Sequence, residues 1–264
     1  MFRPCIDLRQ GKVVQIVGGT LTDGEDATHT NFESDKSPAW FANLYRGDGL
    51  TGGHVIALGS GNEAAAREAL AAWPGGLQYG GGVTAENAEE WLQAGASHVI
   101  VTSWVFRDGR LDEERLAELI KRIGRERLVL DLSCRKRDGV YWVVTDRWQK
   151  FTVLQVTSET CAQLASSCAE FLVHAVDVEG LCQGIDTQLV INLAQSSSIQ
   201  ATYAGGAKSL ADLQTVWTLG GGRIHLTIGS ALDIFGGSGV RYADCVAFNR
   251  ERLTAFGHGG DRRL

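Results

Sequence analysis

Two aspartates sit where an acid-base pair could be built. Cys5-Ile6-Asp7-Leu8 and Val129-Leu130-Asp131-Leu132 are short apolar runs that each carry one carboxylate, and the two aspartates lie 124 residues apart. An uncompensated carboxylate in such a setting is expensive to bury, so each needs a partner or a task. Held on opposite sides of a substrate, one could donate a proton while the other removes one. The donor would then need burial or nearby anionic charge to keep its proton near neutral pH. Taken singly, either aspartate could instead cap a loop, the lesser of the two readings.

Glycine loops repeat at the same spacing. Leu77-Gln78-Tyr79-Gly80-Gly81-Gly82 matches Ala201-Thr202-Tyr203-Ala204-Gly205-Gly206, again 124 residues apart, and Val101-Thr102-Ser103 is echoed by Ile228-Gly229-Ser230. Glycine lets backbone N–H groups approach an anion with no Cβ in the way, and a short helix over residues 230–235 would add a favourable dipole. Two anion sites are therefore expected, one at Gly81, Gly82, Thr102 and Ser103, the other at Gly205, Gly206, Gly229 and Ser230. Facing each other, they would suit a long ligand with a phosphate at each end. A single Gly-Gly pair more often just turns a strand into a helix; two pairs at repeat-related positions favour the anion reading.

Other residues are secondary candidates. Residues 133–150 carry Arg135, Lys136 and Trp148 around a hairpin-like Val140-Tyr141-Trp142-Val143-Val144. Folded over a site, this segment could exclude water and stack Trp148 on a flat heterocycle. His54 and His174 read as hydrogen-bonded core histidines, while Asp177 and Glu179 could orient a substrate hydroxyl or balance local charge.

Positioning such groups calls for a particular scaffold. Short β-rich runs near residues 2–8, 54–58, 77–80, 98–102, 128–132, 171–176, 200–204 and 224–228 alternate with helical periodicity from end to end. Eight such pairs predict a single-domain (β/α)8 TIM barrel, whose active site forms at the C-terminal ends of the strands and whose phosphate commonly sits over strands seven and eight. The internal repeat divides it into half-barrels of about 1–124 and 125–264, with the first and fifth strands opposite each other. Ser209 followed by Asp212 predicts a capping box at one helix start.

Composition bounds the partners. The formal net charge of -6 argues against nucleic acid and anionic membranes. No signal region or long apolar run is evident, so a soluble cytoplasmic protein is expected. The six scattered cysteines show no C-x-x-C pair and read as reduced core residues; no metal site is expected.

Cys-Ile-Asp-Leu-Arg-Gln-Gly-Lys-Val-Val-Gln at 5–15 resembles the opening of the histidine-biosynthesis isomerases that convert ProFAR to PRFAR. Leu-Gln-Tyr-Gly-Gly-Gly-Val, Asp-Leu-Ser-Cys-Arg-Lys, His-Ala-Val-Asp-Val-Glu-Gly-Leu-Cys and Ser-Ala-Leu-Asp-Ile-Phe-Gly-Gly are similar to the fungal and plant branch of that family. The resemblance implies an Amadori rearrangement of a bisphosphorylated aminoaldose to an aminoketose, with Asp7 as base, Asp131 as acid, and no metal or cofactor. It also implies a small-molecule substrate and a monomer. The sequence departs from the bacterial pattern at Ala57-Leu58-Gly59, at Ala175, and in a strand-six loop one residue shorter with Glu179 near the bacterial Asp. The sister cyclase, an isomerase with a second phosphoribosyl substrate, and a non-catalytic binder on the same barrel are the rival expectations.

Overall fold

A computed structural model describes residues 1–20 and 28–257. Eight parallel strands form its centre: β1 (Phe2–Arg3 and Cys5–Arg9), β2 (Gly53–Ala57), β3 (Leu77–Gly80), β4 (Val99–Val101), β5 (Leu128–Asp131), β6 (Glu170–His174), β7 (Gln200–Ala204) and β8 (Ile224–Thr227). Neighbours pair in chain order, and the two pieces of β1 close the ring. Phe2 and Arg3 pair with Leu226 and Thr227 of β8, whereas Cys5 to Leu8 pair with His54 to Ala57 of β2. Pro4, which has no N–H to give, sits at the break, and its carbonyl still accepts from His54 N at 3.0 Å.

One helix follows each strand: α1 (Pro38–Gly47), α2 (Glu63–Ala72), α3 (Ala88–Gln93), α4 (Glu113–Ile123), α5 (Ser158–Ala165), α6 (Thr187–Ser196), α7 (Leu210–Leu219) and α8 (Tyr242–Gly257). The (β/α)8 expectation therefore holds element by element, and the strand order sets β1 across from β5. At α7 the predicted cap is present, with Asp212 Oδ2 accepting from Ser209 N at 2.9 Å. The main core lies between the strands and the helices, where Tyr45, Tyr79, Tyr203, Phe41 and Phe171 are fully buried.

The barrel interior is more polar than continuously apolar strands would give. Strand alternation turns Glu170, Leu172 and His174 to one face of β6, and Arg3, Cys5 and Asp7 to one face of β1. At the N-terminal end of the barrel, Arg3 Nη1 donates to both carboxylate oxygens of Glu170 at 2.5 and 2.6 Å. Thr202 Oγ1 and Gln78 Nε2 complete the carboxylate at 2.6 and 3.2 Å. A thin apolar layer of Ile56, Ile100, Val129 and Leu172 lies among these polar positions. His54, inward on β2, meets His174 edge to face at 6.0 Å between ring centroids, and burial holds it down to about 3.

Three accessory pieces surround the C-terminal ends. Lys12–Ile16 and Thr30–Glu33 extend β1 as an antiparallel flap. Cys134–Arg137, Val140–Thr145 and Lys150–Gln155 form an antiparallel meander after β5. A two-stranded piece, Phe106–Arg107 with Arg110–Leu111, follows β4. All six cysteines are free thiols. Among the described residues no cluster of His, Cys, Asp and Glu could hold a metal, and no helix is long and apolar enough to cross a membrane.

Candidate active site

The two aspartates face two adjoining cavities at the C-terminal ends of the strands. The smaller one is lined by Asp7 with Gly205, Gly206, Gly229 and Ser230, together with Gln15 and Glu179. The larger, about 490 Å3, is lined by Asp131 with Gly81, Gly82 and Thr102, and by Arg147 and Trp148. Such a volume falls within the usual range for small-molecule sites. His174 lines both. Each cavity thus receives one carboxylate and one of the repeated glycine loops.

The carboxylates are held differently. Asp131 accepts Ser133 N at 2.7 Å and the Ser133 hydroxyl on Oδ1, and Thr102 Oγ1 at 3.1 Å on Oδ2. Its two oxygens thus take three donors. Asp7 has a longer contact, with Gln15 Nε2 at 3.3 Å. Burial pushes Asp7 up to about 7, against the opposing hydrogen bonds from Cys5 and Gln15. Glu179 rises to about 8, first through burial and then through the charge of Asp7, and its Oε2 is buried with no hydrogen-bond partner among the described residues. Among the described residues no Lys or Arg lines the smaller cavity. Burial therefore favours the protonated forms of both carboxyl groups beside this cavity.

The glycine loops need glycine for two separable reasons. Gly81 has φ +116°, and a Cβ on it would stand 2.5 Å from the Ala57 carbonyl oxygen. Gly206 has φ +74° and would meet the Gly184 carbonyl oxygen at 2.2 Å. Gly82 is also left-handed, at φ +66°, but its Cβ would enter open space. Gly82→Ala is therefore expected to leave the melting temperature within a few degrees, since a left-handed alanine costs roughly 1–2 kcal/mol, while raising KM several-fold. Gly81→Ala should instead lower stability markedly, because backbone must move. Thermal melts and steady-state kinetics on the two variants separate the roles.

Several expected site residues have other duties. Ser103 Oγ accepts Asp146 N at 3.0 Å and lines neither cavity. Arg135 is also away from both, since its Nε donates to Asp177 Oδ1 at 2.8 Å while Lys136 N donates to Asp177 Oδ2 at 2.9 Å. Asp177 thereby pins the first strand of the meander. The cation on the wall of the larger cavity is Arg147, because the turn Asp146-Arg147-Trp148 takes three successive left-handed conformations and folds inward. Trp148 rests on His174 at 5.2 Å between ring centroids and packs against Val14 and Ile16 of the flap. The turn of the meander from Thr145 to Trp148 thus forms part of the wall of the larger cavity. The short helix expected over 230–235 is a single 3-10 turn at Asp233–Phe235, and Asp233 Oδ1 caps Ile234 N and Tyr242 N. Its dipole is not available at Ser230.

Gln15, Ser133 and Arg147 escaped the sequence reading. Gln15 sits within an apolar strand and reaches Asp7; its Oε1 is where a Gly229 Cβ would be, at 2.0 Å. Ser133 and Arg147 reach the site through neighbours that only the fold supplies, whereas Glu179, already a candidate, lines the smaller cavity. A lone polar residue inside the apolar run Val13-Val14-Gln15-Ile16-Val17 was the available signal for Gln15.

A (β/α)8 barrel with paired acidic groups and glycine loops around its mouth defines the class as a barrel enzyme acting on a small molecule. The family model described as "Histidine biosynthesis protein" matches residues 1–233, and the chain belongs to that family. Among curated relatives, a chloroplastic protein of Medicago truncatula is 53% identical over 96% of this chain and 83% of its own length. One from Yarrowia lipolytica is 50% identical over 95% and 98%, and one from Saccharomyces cerevisiae 47% identical over 95% and 98%. All three are named as 1-(5-phosphoribosyl)-5-((5-phosphoribosylamino)methylideneamino)imidazole-4-carboxamide isomerase.

Proposed function

We propose that this protein isomerises ProFAR to PRFAR, an aminoaldose to an aminoketose, with Asp7 and Asp131 as its acid-base pair. The observation that carries the reading is the pairing of one carboxylate with one glycine loop in each of two adjoining cavities. The relatives' printed name contains two phosphoribosyl groups, which suits a mouth with two such loops.

On this reading one phosphate lies at Gly81 and Gly82 beside Thr102, and the other at Gly205 and Gly206 beside Gly229 and Ser230. The ribosyl carbon chain stretches between them past His174. Asp131 donates the proton that opens the ring, Asp7 removes the C2′ proton, and the resulting enolamine takes a proton at C1′ as the 2′-hydroxyl loses one. The sum of the protons is zero, so the enzyme ends as it began. A base works best with an affinity for protons near the working pH, which burial gives Asp7. Trp148 offers a flat face to the heterocycle.

The working form is read as one cytoplasmic domain of two half-barrels, a monomer that needs no metal or cofactor. Purified protein should convert ProFAR with undiminished rate in the presence of a chelator. Product formation that rises tenfold on adding ammonia would point to the cyclase instead, and no conversion at all would leave a binding protein.

A further inference from the structure

The hydrogen-bond inventory around Ser133 fixes more than the orientation of Asp131. Ser133 is fully buried and has one hydroxyl proton. That proton is committed to Asp131 Oδ1. The serine Oγ itself accepts the backbone N–H of His174 at 3.1 Å and lies 2.9 Å from its ring Nδ1. With the hydroxyl proton already given away, Nδ1 must carry the hydrogen in that second contact. His174 is thereby set as the Nδ1–H tautomer, and its Nε2 keeps a lone pair with no protein partner among the described residues. An isolated parallel bridge between Cys134 and Ala175, beyond the ends of β5 and β6, holds the two segments together at this point.

We propose that Asp131, Ser133 and His174 form a proton relay that brings the action of Asp131 to the wall shared by the two cavities, with His174 Nε2 as the atom that exchanges the proton with the substrate. The inference rests on the isomerase reading of the site. His174 suits the end of such a chain because it lines both cavities, whereas Asp131 lines only the larger.

The relay runs both ways without net charge on the imidazole. In its loaded state Asp131 is protonated and donates to Ser133 Oγ, the Ser133 hydroxyl donates to Nδ1, and Nε2 carries the hydrogen. On ring opening the Nε2 proton passes to the ring oxygen, Nδ1 takes the hydroxyl proton of Ser133, and Ser133 takes the proton of Asp131. The result is the arrangement seen here. When the 2′-hydroxyl later loses its proton, Nε2 accepts it, Nδ1–H returns a proton to Ser133, and Ser133 returns one to Asp131. Each proton is thus accounted for, and the chain is reset within one turnover.

The surroundings keep the ring neutral. Burial lowers the affinity of His174 for a second proton, against the pull of Asp131. His54 faces it from β2 and Trp148 from the turn of the meander. Asp7 and Glu179 face it across the smaller cavity, and among the described residues no Lys or Arg lines that side.

Nitrogen-15 NMR of labelled histidine in the ligand-free wild-type protein at pH 7 tests the tautomer, with His174→Gln identifying the resonance among six histidines. A neutral Nδ1–H ring is expected; an Nε2–H ring or an imidazolium overturns the relay. Ser133→Ala should cut kcat about tenfold or more with KM little changed, and Ser133→Thr should restore most of it. Melting curves identify any loss due to unfolding. Wild-type kcat in a folded Ser133→Ala variant, or a folded Ser133→Thr variant no better than alanine, also overturns it. If the wild-type protein fails to turn over ProFAR, the isomerase reading falls, and the NMR result alone still decides the tautomer.

Discussion

Asp7→Asn and Asp131→Asn will each lower turnover by at least ~100-fold while ProFAR still binds, because a positioned acid or base is worth that much and an amide is neither. Binding measured on the slow variants by calorimetry, alongside single-turnover rates, separates chemistry from affinity. Unchanged turnover in either variant removes that residue from the mechanism.

Asp7→Asn has a second expected effect, on stability. The folded-state value of Asp7 lies near 7, above its ordinary 3.8, so between those limits the native protein holds more of the proton than the unfolded chain. Stability from this group therefore falls as pH rises from about 4 to 7, and the full penalty stands above 7. The asparagine variant should melt higher than wild type at pH 8, with the difference shrinking towards pH 4. A group kept for structure would lose stability on replacement; one kept for chemistry at a cost to the fold should gain it. Equal melting at pH 8 would show that the carboxyl is not strained by its burial.

Glu170→Gln will destabilise the barrel by roughly 3–5 kcal/mol, the scale found when one member of a buried ion pair is removed. Arg3 would lose its counter-charge where only 12% of its side chain and 8% of Glu170's are exposed. The glutamine amide would also face donors from Thr202 and Gln78 where the carboxylate now accepts. Urea unfolding measures the loss, and a change under about 1 kcal/mol would refute it. The double variant Arg3→Met with Glu170→Leu should recover much of the loss, since the desolvation burden of both charges disappears together. This network lies at the opposite end of the barrel from Asp7 and Asp131, so kcat of the folded variant should stay close to wild type.

These experiments separate the two ends of one scaffold. At the N-terminal end the interior charges satisfy each other and tie β1, β3, β6 and β7 together. Towards the C-terminal end, Asp7, Glu179 and His174 are left with unmet electrostatic needs. Such perturbed groups gathered around a cavity are where chemistry is expected.

The fold and the main outline of the site were legible in the residues because their causes are local or periodic. Eight β-rich runs and eight helical ones follow from patterning that each segment carries by itself. Asp7 and Asp131, with Gly81, Gly82, Gly205 and Gly206, stand out because a duplicated half repeats them in order, and a left-handed turn needs glycine wherever it is placed. Hydrogen-bond partners were not legible, since they depend on the register between strands that meet only after folding. Ser133 reaches His174, 41 residues on, where the bridge between Cys134 and Ala175 holds the two segments together. Arg135 turns to Asp177 and Ser103 to Asp146 for the same reason, and the inward turn that substitutes Arg147 for Arg135 belongs to the closed geometry of the meander. Local chemistry determined which groups the protein possesses and roughly where each lies; the closing of the barrel decided which of them share a proton.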